Sequence, residues 1–306
     1  MTVRRQGIDH DLYWHSPKPS RDAWHLPNGA RVAFCVFVYF ECFEIDSPGA
    51  YRDPRFHGTM GDLYPNTRAH TLFEYGNRVG IFRVLRALDR HGLVATVAAN
   101  ADACERYPFL VDEFRRRGYE FAAHGASAGS MITNRMNEED QRALIVHSIE
   151  TVARATGQRP RGWVSQDYGE STKTPAHLAE TGLTYVADWG NDDQPYLLRT
   201  TPPLVSIPNQ ADWDDVQLAW HRQIALPTYR DTVCEAFDVL YEEAVASSVF
   251  FGLHLHPWFI GWPHRIGYLE AVLARIMMMP SMWQTTACNV ADHCIAVQGG
   301  PTHTNA

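Results

Sequence analysis

Short apolar runs alternate with stretches of helical period along most of the chain. Arg31–Phe40 (RVAFCVFVYF) is continuous and β-rich, the pattern of a strand buried on both faces. Asn77–His91 (NRVGIFRVLRALDRH) repeats its apolar positions with the period of a helix and ends at Gly92, a natural C′ residue. The same reading gives strands at Val94–Ala99, Tyr119–Ala123, Gly162–Ser165, Thr184–Asp188, Leu204–Ile207 and Val249–His256. It gives helices at Ala101–Arg117 (with a break near Pro108), Asn137–Thr156 (ending at Gly157), Thr174–Thr181, Tyr229–Ala246 and Arg265–Met278. Strand–helix alternation implies a parallel sheet, and seven or eight such units favour a barrel over a doubly wound sheet. Residues 1–30 read as an irregular N-terminal arm and Gly299–Ala306 as a loose tail, so residues 1–306 are expected to form one α/β domain.

Composition narrows the function classes. The chain has 306 residues, 45% hydrophobic and 20% charged, enough for a large core. A net charge of −8 with scattered acidic residues removes the basic footprint expected of a nucleic-acid binder. The longest apolar run, Val32 to Phe40, is too short to span a bilayer, and MTVRRQGIDH lacks the apolar core of a signal peptide, so a cytoplasmic protein is expected. Six cysteines form no C-x-x-C pair and are expected to be free thiols. Nine tryptophans and thirteen tyrosines fit an aromatic pocket or a subunit interface, and a homo-oligomer, tetramer or dimer, is expected. H-E-x-x-H, G-x-S-x-G, a phosphate-binding Gly-rich loop and G-x-G-x-x-G are all absent.

In a parallel barrel the active site lies at the C-terminal ends of the strands. Those ends read Phe40-Glu41, Asn100, His124, Ser165-Gln166-Asp167, Asp188-Trp189 and His254-Leu255-His256. Glu, His, Asp and His at one mouth supply a base, an acid and electrostatic partners. Each taken singly has an ordinary alternative. Glu41 could be a loop carboxylate, as Glu44 is expected to be; His124 could be a structural ring before Gly125; Asp188 could cap a turn. His254 and His256 have strand spacing, so both should face one side, and H-x-H can bind zinc.

Several segments resemble the polysaccharide deacetylase (NodB-homology) superfamily, and most closely its branch of allantoinases and cyclic-imide hydrolases. They are FEYGNRVGIFRVLRALDRHG (73–92), ERYPFLVDEFRRRGYEFAAHG (105–125), TGQRPRGW (156–163), NDDQPY (191–196), EAFDVLYEE (235–243) and GLHLHPWFIGWPHR (252–265). The resemblance implies a distorted (β/α) TIM-like barrel that hydrolyses an amide, imide or ureide in a small, cyclic substrate. Classical members carry paired aspartates after the first strand, one a base and one a metal ligand, with two histidines four residues apart. Those positions are read as Phe40 and Glu41, and as His124 and Ala128, so one base and one ligand are replaced. Catalytic roles fall to Glu41, His124, His256 and Asp188, and substrate contacts to Phe40, Arg161, Trp163, Trp189, His254 and Trp258. No tightly bound metal is expected; if a zinc ion binds, its ligands are drawn from Glu41, His124, His254 and His256. Burial is expected to raise the pKa of Glu41. Two alternatives remain: a metal-dependent deacetylase of N-acetylated sugars, and a non-catalytic ligand-binding relative. Substrate shape is expected to come from loops such as Ile45–Thr71.

Overall fold

The computed structural model describes residues 10–45, 65 and 67–298. Most of the loop 45–71 and the tail 299–306 lie outside them. Among the described residues nine strands form one sheet: β1 (Val32–Phe40), β2 (Thr96–Ala99), β3 (Glu120–Ala123), β4 (Gly162–Trp163), β5 (Tyr185–Val186), β6 (Tyr196–Leu198), β7 (Leu204–Ser206), β8 (Val249–Leu255) and β9 (Met282–Thr285). Their order is β6-β7-β5-β4-β3-β2-β1-β8, with β9 also on β1. Every pairing is parallel except β6 with β7, a departure from the all-parallel expectation. Residues 199–203 join β6 directly to β7, and the two strands pair as an antiparallel hairpin.

β1 is the hub. Along one edge Val32–Val38 pairs with Val249–Leu255 of β8. Along the other, Val32–Cys35 pairs with β9 and Phe37–Phe40 with β2, so β9 is wedged in at the N-terminal end. There the Gln284 side chain bonds both the N–H and the carbonyl of Val94, replacing a ladder between strands that diverge. Strand alternation sorts β1 cleanly. Val32, Phe34, Val36, Val38 and Phe40 join the layer under the helices; Ala33, Cys35, Phe37 and Tyr39 face inward.

The sheet curls into a half-barrel rather than closing strand to strand. Side chains span the opening between β7 and β8. Gln210, just beyond β7, donates from Nε2 to the Phe250 carbonyl (3.0 Å) and accepts the Gly252 N–H on Oε1. Trp213 Nε1 donates to the Gly252 carbonyl at 2.9 Å. These bonds satisfy backbone groups of β8 that a neighbouring strand would otherwise take.

The expected helices are present with shifted ends. α1 (Thr67–Tyr75) runs through a wide turn at Gly76–Gly80 into α2 (Ile81–Arg90), so this helix starts ten residues before the periodicity at Asn77 becomes visible. Pro108 divides α3 (Ala101–Arg106) from α4 (Pro108–Arg116). Asn137 caps α5 (Glu138–Thr156) by accepting the Asp140 N–H, and Gly157 ends it at φ 71°. α6 (Thr174–Glu180), α7 (Leu226–Glu243) and α8 (Ile266–Met277) follow the reading, whereas β9 and α9 (Ala287–Gln298) were not anticipated. At Gly76 and Gly80 the wide turn lies directly on the backbone of Pro257–Gly261. A Cβ at Gly80 would stand 2.2 Å from the Pro257 carbonyl oxygen, and one at Gly76 2.7 Å from the Trp258 nitrogen. This contact brings the segment after β8 over the end of β1. No helix among the described residues is long and apolar enough to cross a membrane. All six cysteines are free thiols.

Candidate active site

The register sets the mouth. Phe40, Ala99, Ala123, Trp163, Val186 and Ser206 form one row across the sheet, and Glu41, Asn100 and His124 stand one residue beyond it. Alternation turns Glu41 inward and Phe40 outward, where it packs on Phe114 (5.2 Å between centroids) and Tyr107. Phe40 therefore contacts no substrate and occupies no carboxylate position; Glu41 is the strand-end group that faces the mouth, so no base is lost at position 40.

The Glu41 side chain is 4% exposed and held on both oxygens. Gln166 Nε2 donates to Oε1 at 3.0 Å, Trp258 Nε1 donates to Oε2 at 3.0 Å, and His124 Nε2 faces Oε1 at 3.5 Å. Asn77 Nδ2 fixes the Glu41 carbonyl at 2.6 Å. The Nδ1 of His124 lies 2.6 Å from the Val164 carbonyl, and because a carbonyl only accepts, that nitrogen carries a proton and Nε2 is turned to Glu41. Burial pushes the Glu41 carboxyl upward, as expected, but the hydrogen bond with His124, the charge of His256 and the amide of Gln166 outweigh it and bring it down to about 2. The expected rise is thus reversed: donors aimed at the charged form win over desolvation.

His256, at the end of β8, is held by an acidic pair that the sequence reading passed over. Asp215 accepts His256 Nδ1–H on Oδ1 (2.7 Å) and the His256 backbone N–H on Oδ2 (2.9 Å). Asp214 Oδ1 stands 3.8 Å from the same Nδ1. Burial opposes the charged ring, yet the carboxylates of Asp214 and Asp215 raise it to about 9. Both Asp215 oxygens are taken by N–H donors, so the proton of the pair stays on the imidazole. The adjacent acids in W-D-D-V, after β7, were the available signal. Tyr39 stacks on His256 (centroids 4.0 Å, 14°), and Trp258 meets it edge-on at 6.0 Å, so Trp258 touches both Glu41 and His256.

The remaining candidates separate. His254 faces inward, as its spacing requires, but it stacks on Phe37 and bonds Tyr39 Oη at 3.0 Å through Nδ1; burial lowers its pKa to about 4, a neutral ring. Asp188 accepts the Ser165 N–H at 2.7 Å; burial raises its carboxyl and that of Glu170, and the charge of Asp188 raises Glu170 further. Asp188 thereby fixes the loop that carries Gln166. Trp189 lies further out, donating to Glu170 at 3.1 Å and edge-on to Tyr13. Two assignments are corrected. Trp163 is on the outward face of β4, in the cluster with Ile145, Ile149 and Leu178, its Nε1 on Ser165 Oγ. Arg161 precedes β4, at the opposite end of the sheet, paired with Asp292 on the surface.

Residues 65–186 match the polysaccharide deacetylase family. The chain is 25% identical to PuuE allantoinase, with a TM-score of 0.79 over 94% of this chain and 97% of that one. A structure from Pseudomonas aeruginosa named a probable polysaccharide deacetylase has the same identity and TM-score, over 90% of this chain and 95% of the other. A Schizosaccharomyces pombe protein with a provisional polysaccharide deacetylase name is 24% identical over 92% of this chain and 95% of its own length. The half-barrel is therefore of the NodB type.

The metal that the family implies was tested against the donors. Glu41 and His124 converge, but Ala128 offers a methyl group, His254 turns to Tyr39, and His256 turns to Asp215. Among the described residues only Asp214, Asp215 and His256 bring three donor groups within 4.8 Å. Their oxygens are taken up: Asp214 Oδ1 accepts the N–H groups of Val216 and Gln217, Asp214 Oδ2 accepts Tyr168 Oη–H, and Asp215 is bound to His256. These described residues do not fit a tight divalent-metal site.

Proposed function

We propose that this domain hydrolyses a non-peptide C–N bond, amide, imide or ureide, in a small, cyclic substrate of the allantoinase type. The observation that supports the reading is the pairing of Glu41 and His256 at one mouth with their pKa values driven apart, one to about 2 and the other to about 9. At neutral pH one is a carboxylate and the other an imidazolium. Glu41 orients water and takes its proton as oxygen attacks the carbonyl carbon. The C–N bond then breaks, and the His256 imidazolium gives its proton to the departing nitrogen. Asp215 orients His256, and the Gln166, Trp258 and Asn77 donors hold Glu41, so little reorganisation is needed as charge moves.

The test is a panel of allantoin, hydantoin, succinimide, dihydrouracil and an acetylated chitooligomer, with and without chelator. Turnover of a cyclic compound that survives chelation is the expected result. Glu41→Gln and His256→Ala should each lower kcat by roughly 10²-fold or more. The family match makes an acetylated carbohydrate the rival substrate, and chelator-sensitive turnover of the chitooligomer alone would decide for it. No turnover of any member by the folded protein would end the hydrolase reading and favour a ligand-binding relative. A cytoplasmic homo-oligomer working on this small substrate, without nucleic acid or membrane, belongs to the same proposal; a monomer by light scattering would contradict the assembly.

A further inference from the structure

Gln166 holds an acceptor for which the described residues provide no donor. The residue is 7% exposed, and its Nε2 donates to Glu41 Oε1 at 3.0 Å. A carboxylate only accepts, so this bond sets the amide orientation: rotated by half a turn, the amide would press oxygen on oxygen. Among the described residues the carbonyl Oε1 is left buried without a hydrogen-bond partner, within one amide group of Glu41. Buried acceptors are ordinarily matched.

The backbone indicates that this placement is imposed. Asp167 (φ 49°) and Tyr168 (φ 55°) are consecutive non-glycine residues in the left-handed region. Such conformations persist where the surroundings over-determine them, and they cluster at ligand sites. Here Asp188 holds the turn at Ser165 N–H, and Tyr168 Oη–H is bound to Asp214, the neighbour of His256's own partner. The turn is thus tied to both halves of the site with Gln166 at its head.

We propose that Gln166 Oε1 accepts the N–H of the substrate's scissile nitrogen, so that the site selects N–H-bearing amides and imides over esters and N-alkylated analogues. The inference rests on the hydrolase reading and adds the residue that sets its substrate class. Gln166 donates to Glu41 with one end and receives the substrate with the other, which places the carbonyl carbon beside the water-orienting carboxylate.

The experiment compares succinimide and hydantoin with their nitrogen-methylated analogues on wild type and Gln166→Met, a side chain of similar length without an acceptor of comparable strength. Wild type should favour the N–H compounds by at least about 10²-fold in kcat/KM, and the variant should reduce that ratio to within about tenfold. Equal slowing of both classes in the variant, with the ratio kept, would assign Gln166 to water alone and overturn the proposal; so would a wild-type ratio near one. If wild type turns over none of the four, the hydrolase reading fails separately, and calorimetric affinities of the same compounds decide this one. Tighter binding of the N–H members, lost in Gln166→Met, sustains it; equal or absent binding overturns it. Unchanged thermal melting of the variant establishes that the fold is intact.

Discussion

Replacing Asp215 by asparagine keeps the size of the side chain and removes one charge from the His256 partner set. In the wild type the imidazole rises from 6.5 to about 9, worth about 3 kcal/mol at 1.36 kcal/mol per pH unit. Asp215 holds the shortest contact, 2.7 Å, against 3.8 Å for Asp214. Its loss should bring the His256 midpoint down to about 8 or below. The direct assay is an NMR titration of the His256 ring, which needs no substrate; the alkaline limb of kcat/KM should follow it. Stability should move in step. A histidine raised in the folded state contributes fully below its unfolded pKa near 6.5, and the contribution fades as pH climbs through about 9. Urea midpoints of the wild type should therefore fall across that interval, and those of Asp215→Asn should fall earlier and less. A wild-type midpoint near 6.5, or one that Asp215→Asn leaves in place, would refute the electrostatic account of His256.

Three further substitutions probe what positions the site. Gly80→Ala drives a Cβ into the Pro257 carbonyl and should lower both the melting temperature and turnover, because the segment carrying Trp258 must shift. Glu120 accepts from Thr96 Oγ1, Tyr185 Oη and the Cys288 N–H at the N-terminal end of the sheet; Glu120→Ala leaves these donors unmatched and should cost roughly 3 kcal/mol in denaturant unfolding while kcat at permissive temperature is retained. Arg161→Ala removes an exposed pair with Asp292 far from the mouth and should change stability by less than about 1 kcal/mol and leave KM unaltered; a raised KM would return Arg161 to the substrate site.

How much of this was legible in the sequence depends on the range of the interaction involved. Strand and helix identity follows from local periodicity, so β1, β3, α5 and β8 are readable within a residue or two, and their C-terminal ends lead to Glu41, His124 and His256. Alternation along β1 already contains the answer for Phe40, since Tyr39 and Glu41 share one face and Phe40 the other; the same rule excludes Trp163. The three-residue strand β6 and the C-terminal β9 and α9 carry too little pattern to stand out, and β9 owes its place to pairing with β1. The partners of the site are long-range facts. Gln166, Trp258 and Asn77 reach Glu41 from positions 125, 217 and 36 residues away, and Asp215 reaches His256 across 41. The sequence by itself determined which ionisable groups end the strands. Only the tertiary structure decided their charge, because Glu41 alone in an apolar strand would be pushed toward neutrality, whereas a Glu41 carboxylate bonded by Gln166 and Trp258, with His124 and the His256 imidazolium beside it, is held ionised.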